Sequence, residues 1–238
     1  MTKLISYPGG MSNGYFLIGS KGAAAVDTGC VESEDFFLDQ CARAGLRPED
    51  IKLIVITHGH VDHFFNLPAM KKLTGAPVLC HREAARFIEQ GLPPEEDLVA
   101  RTPTGAAILK KQAEEGPPCD HIPSAPVDIT IDGDYDLHGY GIDGRLLCTP
   151  GHSRGCLSAV LDDGNAIVGD LFAAVAGSSE GGTPYFKYKG APFSEALDSL
   201  DRLLAAGVTR FWSGHGGPFP RELVEQCVAA DRAAGPLV

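Results

Sequence analysis

The sequence predicts a mixed α/β chain in which sheets are covered by helices. Three observations carry that expectation. Leu53–Thr57, LIVIT, is a fully apolar β-branched run of the kind found in buried strands. Ser33–Ala44 and Glu83–Gln90 read as helices, the first capped by Ser33, and they are stopped by Gly45 and Gly91. Each half of the chain runs from strands to helices with no sequence repeat, low-complexity tract or clear linker, so one domain over residues 1–238 is expected.

In chain order, Tyr15–Ile18 and Ala23–Val26 read as strands joined by the turn Gly19-Ser20-Lys21-Gly22. Beyond Leu53–Thr57 a helix is expected to start near Asn66, and a strand at Pro77–Cys80. The stretch from about Gly91 to Pro126 is the least regular. It carries several prolines around a helical segment, Gly105–Glu115. Such an excursion either lines an active site or is a surface insertion. Strand signals resume at Asp128–Ile131, Arg145–Cys148, Leu157–Leu161 and Ala166–Val168. Ser194 is expected to cap a helix to Ala206, Phe211–Trp212 to close the last strand, and Arg221–Ala234 to form a terminal helix.

Charge narrows the partners. With 20 Lys and Arg against 31 Asp and Glu, the formal net charge is −11. That balance opposes non-specific binding to nucleic acid and to anionic membrane, so a small-molecule substrate is expected and neither of those partners. Seven cysteines, Cys30, Cys41, Cys80, Cys119, Cys148, Cys156 and Cys227, are scattered with no C-x-x-C pair. They read as reduced thiols. The start, MTKLISYPGG, lacks the apolar core of a secretory signal, and no apolar run approaches the roughly 20 residues of a membrane span. A cytoplasmic protein is the expectation; the sequence leaves the oligomeric state open.

The chemistry is concentrated after the buried strand. In Thr57-His58-Gly59-His60-Val61-Asp62-His63, three histidines and an aspartate fall within six residues. Imidazole and carboxylate are the ligand set of zinc and similar metals. His58 and His60 flank a glycine, so in an extended segment they leave on the same side. Asp62 and His63 are adjacent and cannot share that direction, so they can serve a second ion. Three further segments repeat one pattern, a strand end, a glycine and a ligand-type residue: Gly151-His152, Gly169-Asp170 and Gly214-His215. Glycine lets the backbone turn sharply and approach a site closely.

Taken together, these segments resemble the metallo-β-lactamase fold superfamily. His58, His60, Asp62 and His63 match its H-x-H-x-D-H motif, with His152 in TPGH, Asp170 in VGD, His215 in SGHGG and Asp27-Thr28-Gly29 matching its other elements. The likeness runs from about residue 13 to 218. It implies an αββα sandwich, two mixed sheets packed face to face with helices outside. It further implies a first metal on His58, His60 and His152, a second on Asp62, His63 and His215, and Asp170 bridging both. Asp27 would orient the site, its plain alternative being a turn aspartate that ends a strand. The cofactors would be two divalent ions, with zinc suited to this ligand set and iron or manganese open.

The function so implied is hydrolytic. A hydroxide bridging two metal ions would cleave an ester, thioester or lactone of a small molecule, with Asp62 orienting the hydroxide and relaying its proton. Gly169-Asp170-Leu171-Phe172 resembles the glyoxalase II pattern. The downstream glycine-cysteine-glycine-arginine segment of that pattern is replaced by Gly177-Ser178-Ser179-Glu180, so a generic ester, thioester or lactone is the safer expectation. Three alternatives stand beside it. TPGHSRGC resembles persulfide dioxygenases with one iron, which lack a complete second site. A phosphodiesterase acting on nucleic acid should bring basic clusters. A metal sensor would not need Asp62. Cys156 could be a nucleophile or a core residue; His81, His121 and His138 read as structural or solvent-facing. Finally, Tyr185, Lys187, Tyr188 and Lys189 form either one wall of the substrate cleft or an exposed hairpin.

Overall fold

An antiparallel meander opens the chain: β1 (Lys3–Gly9) pairs with β2 (Ser12–Gly19), and β2 with β3 (Gly22–Val26). The computed structural model describes residues 1–92, 98–115, 121–174 and 180–235, without the side chains of Gln112 and Glu115. β1 gave no clear sequence signal, because it is an edge strand whose burial follows no strict alternation and which contains Pro8.

α1 (Glu34–Ala44) begins at Ser33, whose Oγ accepts from the Phe36 amide at 3.1 Å, and ends at Gly45 with φ of 74°. β4 (Ile51–Val55) lies two residues upstream of the expected span. Thr57 leaves the ladder because its N–H donates to the Asp27 carboxylate instead. There follow α2 (Val61–Phe64), α3 (Leu67–Thr74), β5 (Val78–His81) and α4 (Arg82–Gln90). His81 caps α4 through Nδ1, which accepts from the Glu83 amide. Within the irregular middle stretch the described residues include β6 (Leu98–Ala100) and α5 (Pro103–Glu115); residues 93–97 and 116–120, with Cys119, lie outside the described residues.

The second half holds β7 (Ile129–Ile131), β8 (Tyr135–Asp136), β9 (Gly144–Cys148), β10 (Leu157–Leu161), β11 (Asn165–Ile167), β12 (Ala173–Ala174), β13 (Gly181–Gly182) and β14 (Phe186–Tyr188). It ends with α6 (Glu195–Ala205), β15 (Arg210–Trp212), β16 (Phe219–Pro220) and α7 (Arg221–Ala234). Two expectations are corrected here. Ser194 makes no side-chain cap, because its own backbone is already helical. Phe211–Trp212 is not the last strand, since β16 returns antiparallel beside it.

Among the described residues two six-stranded sheets form, in the orders β1-β2-β3-β4-β5-β7 and β16-β15-β11-β10-β9-β8. Alternating side chains sort to their faces. Tyr15, Leu17, Val26, Leu53 and Val55 from the first sheet meet Leu146, Leu157, Ala159 and Ile167 from the second in one buried layer. The opposite face of the first sheet packs Phe16, Ile54 and Val78 against Phe37, Met70 and Ile88 of α1, α3 and α4. That of the second packs Val160, Ala166 and Phe211 against Leu197, Leu200 and Val224 of α6 and α7. This is the αββα sandwich that the resemblance implied. No described helix is long and apolar enough to cross a membrane.

Candidate metal centre and its cavity

Strand direction decides where the chemistry collects. β3 and β4 are parallel, so Asp27 and His58 emerge from the same end of neighbouring strands. β11 and β15 are parallel too, and β9 runs in the same sense, both being antiparallel to β10. His152, Asp170 and His215 therefore follow strand ends on one edge of the second sheet. The two sheets are sewn together there. The Leu157 amide donates to Thr57 O at 2.8 Å and the Asn13 amide to Gly214 O at 2.7 Å; within the second sheet the Gly214 amide donates to Gly169 O at 2.8 Å. Close approach needs glycine at two points. A Cβ on Gly169, whose φ is +53°, would lie 2.8 Å from Thr57 Oγ1; one on Gly214 would lie 2.3 Å from Asp170 Oδ1. Behind His152, the Ser199 hydroxyl of α6 donates to Pro150 O and braces the loop.

All seven predicted donors come together, in two groups: His58, His60, His152 and Asp170, and beside them Asp62, His63 and His215. Within each group the donor atoms lie within 4.8 Å of one another. His152 Nε2 and His60 Nδ1 face each other at 2.9 Å. Asp170 touches both groups. Its Oδ2 lies 3.6 Å from His152 Nε2 and 3.2 Å from His215 Nε2, and its Oδ1 lies 3.3 Å from His63 Nε2. Asp62 Oδ2 lies 3.5 Å from His63 Nε2 and 3.2 Å from His215 Nε2.

The residues present fit divalent cations. His58 Nε2, His63 Nε2 and Asp170 Oδ1 are buried with no hydrogen-bond partner. Buried polar atoms left in that state are costly, and a cation among them removes the cost. The backs of the rings are arranged to match. Asp27, itself fully buried, accepts from the Thr57 amide, from Thr57 Oγ1 and from His63 Nδ1, each at 2.8 Å. A hydroxyl has one proton. Given to Asp27, it leaves Thr57 Oγ1 to accept from His58 Nδ1 at 3.1 Å. His215 Nδ1 donates to Met11 O at 2.9 Å. In all three rings Nε2 is thereby turned into the site, where a bound cation would take its lone pair in place of a proton, one histidine from the first group and two from the second. Asp27 thus has the orienting position, on a backbone φ of +57° that few non-glycine residues adopt. Sequence reading missed Thr57 and the Met11 carbonyl; the threonine before the first histidine was a visible signal, the carbonyl was not.

Charge is unevenly spread over the cluster. Burial holds His58 well below the usual histidine range and His60 down at about 3. The Asp170 carboxylate pushes His215 up to about 10. Burial alone would raise Asp62, yet His63 and His215 hold it down at about 2, so it is a carboxylate throughout the neutral range. Cys156 is buried, its thiol pushed up to about 12 by that burial, with Sγ accepting from the Ser153 amide; this leaves it no thiolate for attack. His121 pairs with Glu32, and His138 with Asp136 and Asp162, away from the cluster.

A cavity of about 270 Å³ opens beside His152, Asp170 and His215. Ile108 of α5 lines it, so the described part of the irregular middle stretch reaches the site. Of the four predicted wall residues only Tyr185 lines it, together with Phe186, which sequence reading passed over. Lys187 donates instead to Ala191 O at 2.6 Å, Tyr188 is buried beneath the Arg154 guanidinium, and Lys189 is exposed. The reason is strand geometry: β14 pairs with β6, which turns Lys187 away from the side of Phe186 and carries Tyr188 about 7 Å further along. Residues 177–179 of the segment that departs from the glyoxalase II pattern lie outside the described residues.

Comparison with known proteins agrees with this arrangement. Residues 7–215 match the family model of the metallo-beta-lactamase superfamily. A protein of Methanocaldococcus jannaschii named "probable metallo-hydrolase" is 26% identical over 172 residues, 72% of each chain. The archaeal metallo-beta-lactamase superfamily protein ST1585 of Sulfolobus tokodaii superimposes with a TM-score of 0.64 at 22% identity, over 95% of this chain and 85% of that one. TTHA1623, crystallised in a di-iron-bound form, gives 0.64 at 22% identity over 94% and 96%. With its family model matched over most of its length and its sandwich shared with these structures, the chain belongs to the metallo-beta-lactamase superfamily.

Proposed function

We propose that the protein is a binuclear metal-dependent hydrolase that cleaves an ester, thioester or lactone of a small molecule. The observation that carries this reading is the contact of Asp170 with both donor groups, its two oxygens lying 3.2–3.6 Å from His63, His152 and His215. His58, His60 and His152 would hold one ion, Asp62, His63 and His215 the other, with Asp170 shared. Divalent cations in such a site supply Lewis acidity, bringing the pKa of water to about 7 and offsetting charge that develops on a carbonyl oxygen. The chain's own part is positional. Asp27 and Met11 O keep the Nε2 atoms of His63 and His215 turned inward. Asp62, held as a carboxylate, orients the attacking water and takes its proton for the leaving group. Cys156 does not compete as a nucleophile, since burial keeps its thiol protonated. The complete second donor group supports two ions over the one iron of an oxygenase. Zinc suits the ligands; the di-iron form of TTHA1623 keeps iron open for this chain.

Metal quantification followed by a screen of esters, thioesters, lactones and phosphodiesters tests the reading. Two ions per chain at saturation are expected, with hydrolysis of a carbonyl ester class that stops on chelation, returns with metal and consumes no oxygen. A saturated value of one ion, or oxygen uptake with turnover, overturns it.

A further inference from the structure

We infer that the part of the substrate seated in the cavity beside the donor cluster is a short, uncharged, apolar group. Its place beside a scissile bond rests on the hydrolytic reading above; the polarity rests on the cavity alone. Apart from His152, Asp170 and His215, the lining is Ile108, Ala173, Ala174, Pro184, Tyr185 and Phe186. The Tyr185 hydroxyl donates to Ala174 O at 2.7 Å, so it is the ring that lines the cavity. At about 270 Å³ the space sits at the lower end of small-molecule pockets, which run from about 300 Å³ upward.

Every cation near this wall is engaged elsewhere or stands outside the lining. Arg101 is buried behind it. Its Nη1 donates to Thr183 Oγ1 at 3.1 Å and to Pro184 O at 2.9 Å, and its backbone amide donates to Tyr185 O at 2.7 Å. Its Nη2 lies 3.8 Å from Asp231 Oδ2, Nε and Nη2 are buried without a hydrogen-bond partner, and the guanidinium stands outside the lining. Lys187 donates to Ala191 O, and Arg154 lies 4.3 Å over the Tyr188 ring. Lys111, one turn along α5 from Ile108, is exposed and outside the lining. Segments 93–97, 116–120 and 175–179 carry no Lys, Arg or His in the sequence. A carboxylate at the far end of the substrate would thus be desolvated against apolar side chains, with no cation in the lining beyond the donor cluster, which is strongly unfavourable.

Two hydroxamates that differ only at the end remote from the chelating group test this. Butyrohydroxamic acid ends in a methyl group and succinic monohydroxamic acid in a carboxylate. Titration calorimetry on the zinc-loaded protein should show the neutral probe binding about tenfold tighter or more. Ile108 is half-buried, so Ile108→Lys should be tolerated; it is expected to narrow or reverse the preference by placing a cation in the lining. Phe186→Ala should weaken the neutral probe more than the anionic one, and Lys111→Ala should leave the preference unchanged. Equal or tighter binding of the anionic probe by the wild-type protein overturns the inference, as does failure of the neutral probe to bind metal-loaded protein. A preference that holds while no ester, thioester or lactone is cleaved leaves the cavity assignment standing and removes the hydrolytic one. Cleavage of esters with both probes bound alike does the reverse.

Discussion

Asp27 Oδ2 accepts the Nδ1 proton of His63 at 2.8 Å, with both side chains wholly removed from solvent. The same carboxylate takes both donors of Thr57, so one residue at the end of β3 sets ring orientation in both donor groups.

Asp27→Asn replaces one accepting oxygen with a donor, so at least one of its three bonds is lost. Metal affinity should fall about 10–100-fold, mainly for the ion held by His63. An unsatisfied buried donor should also lower stability by about 1–3 kcal/mol. Competition with a chromophoric chelator reads the first effect and thermal denaturation the second. Unchanged affinity would show that Asp27 only ends a strand.

Asp62→Asn keeps the shape of the side chain and removes its charge and its capacity to accept a proton. Turnover should drop about 10²–10⁴-fold on the best substrate. Metal content must be measured on the same sample, because Asp62 is also a donor of the second group. Wild-type turnover would refute its assignment.

Gly214→Ala is a steric probe of the second group. Gly214 lies outside the left-handed region, so alanine suits its backbone, but the new Cβ would stand 2.3 Å from Asp170 Oδ1 and 2.4 Å from His63 Cε1. Displacement of these donors should lower turnover by about 10²-fold and metal content toward one ion. Gly133→Ala, with nothing within 4 Å of its Cβ, serves as the control. If both variants behaved like wild type, the packing of Gly214 against the donors would be of no consequence.

Chelated protein should have a stability optimum near neutral pH. His215, raised to about 10 by Asp170, contributes stability that is fully present below the ordinary histidine value of about 6.5 and lost as pH rises through about 10. His60, lowered to about 3 by burial, acts oppositely: its contribution is present above about 6.5 and lost as pH falls toward about 3. The thermal midpoint of chelator-treated protein should therefore decline on both sides of about pH 6.5. A midpoint rising steadily up to about pH 9 would contradict the His215–Asp170 pairing.

Local sequence by itself determined the donors and the element ends. His58, His60, Asp62, His63, His152, Asp170 and His215 were legible because each is a ligand-type residue where a strand stops, most of them beside a glycine. Ser33, Gly45 and Gly91 were legible because caps depend on a single residue's backbone preference. Only the tertiary structure decided what has no local signature. The edge strand β1 is held by its pairing to β2 rather than by its own pattern. The route from Asp27 through Thr57 to His58 joins residues 30 apart, and Met11 O reaches His215 across 204 positions. The cavity wall fell to Tyr185 and Phe186, not to Lys187, Tyr188 or Lys189, because the pairing of β14 with β6 sets which side chains face His152. Composition names the residues able to do chemistry; the direction and pairing of distant strands fix which of their atoms face one another.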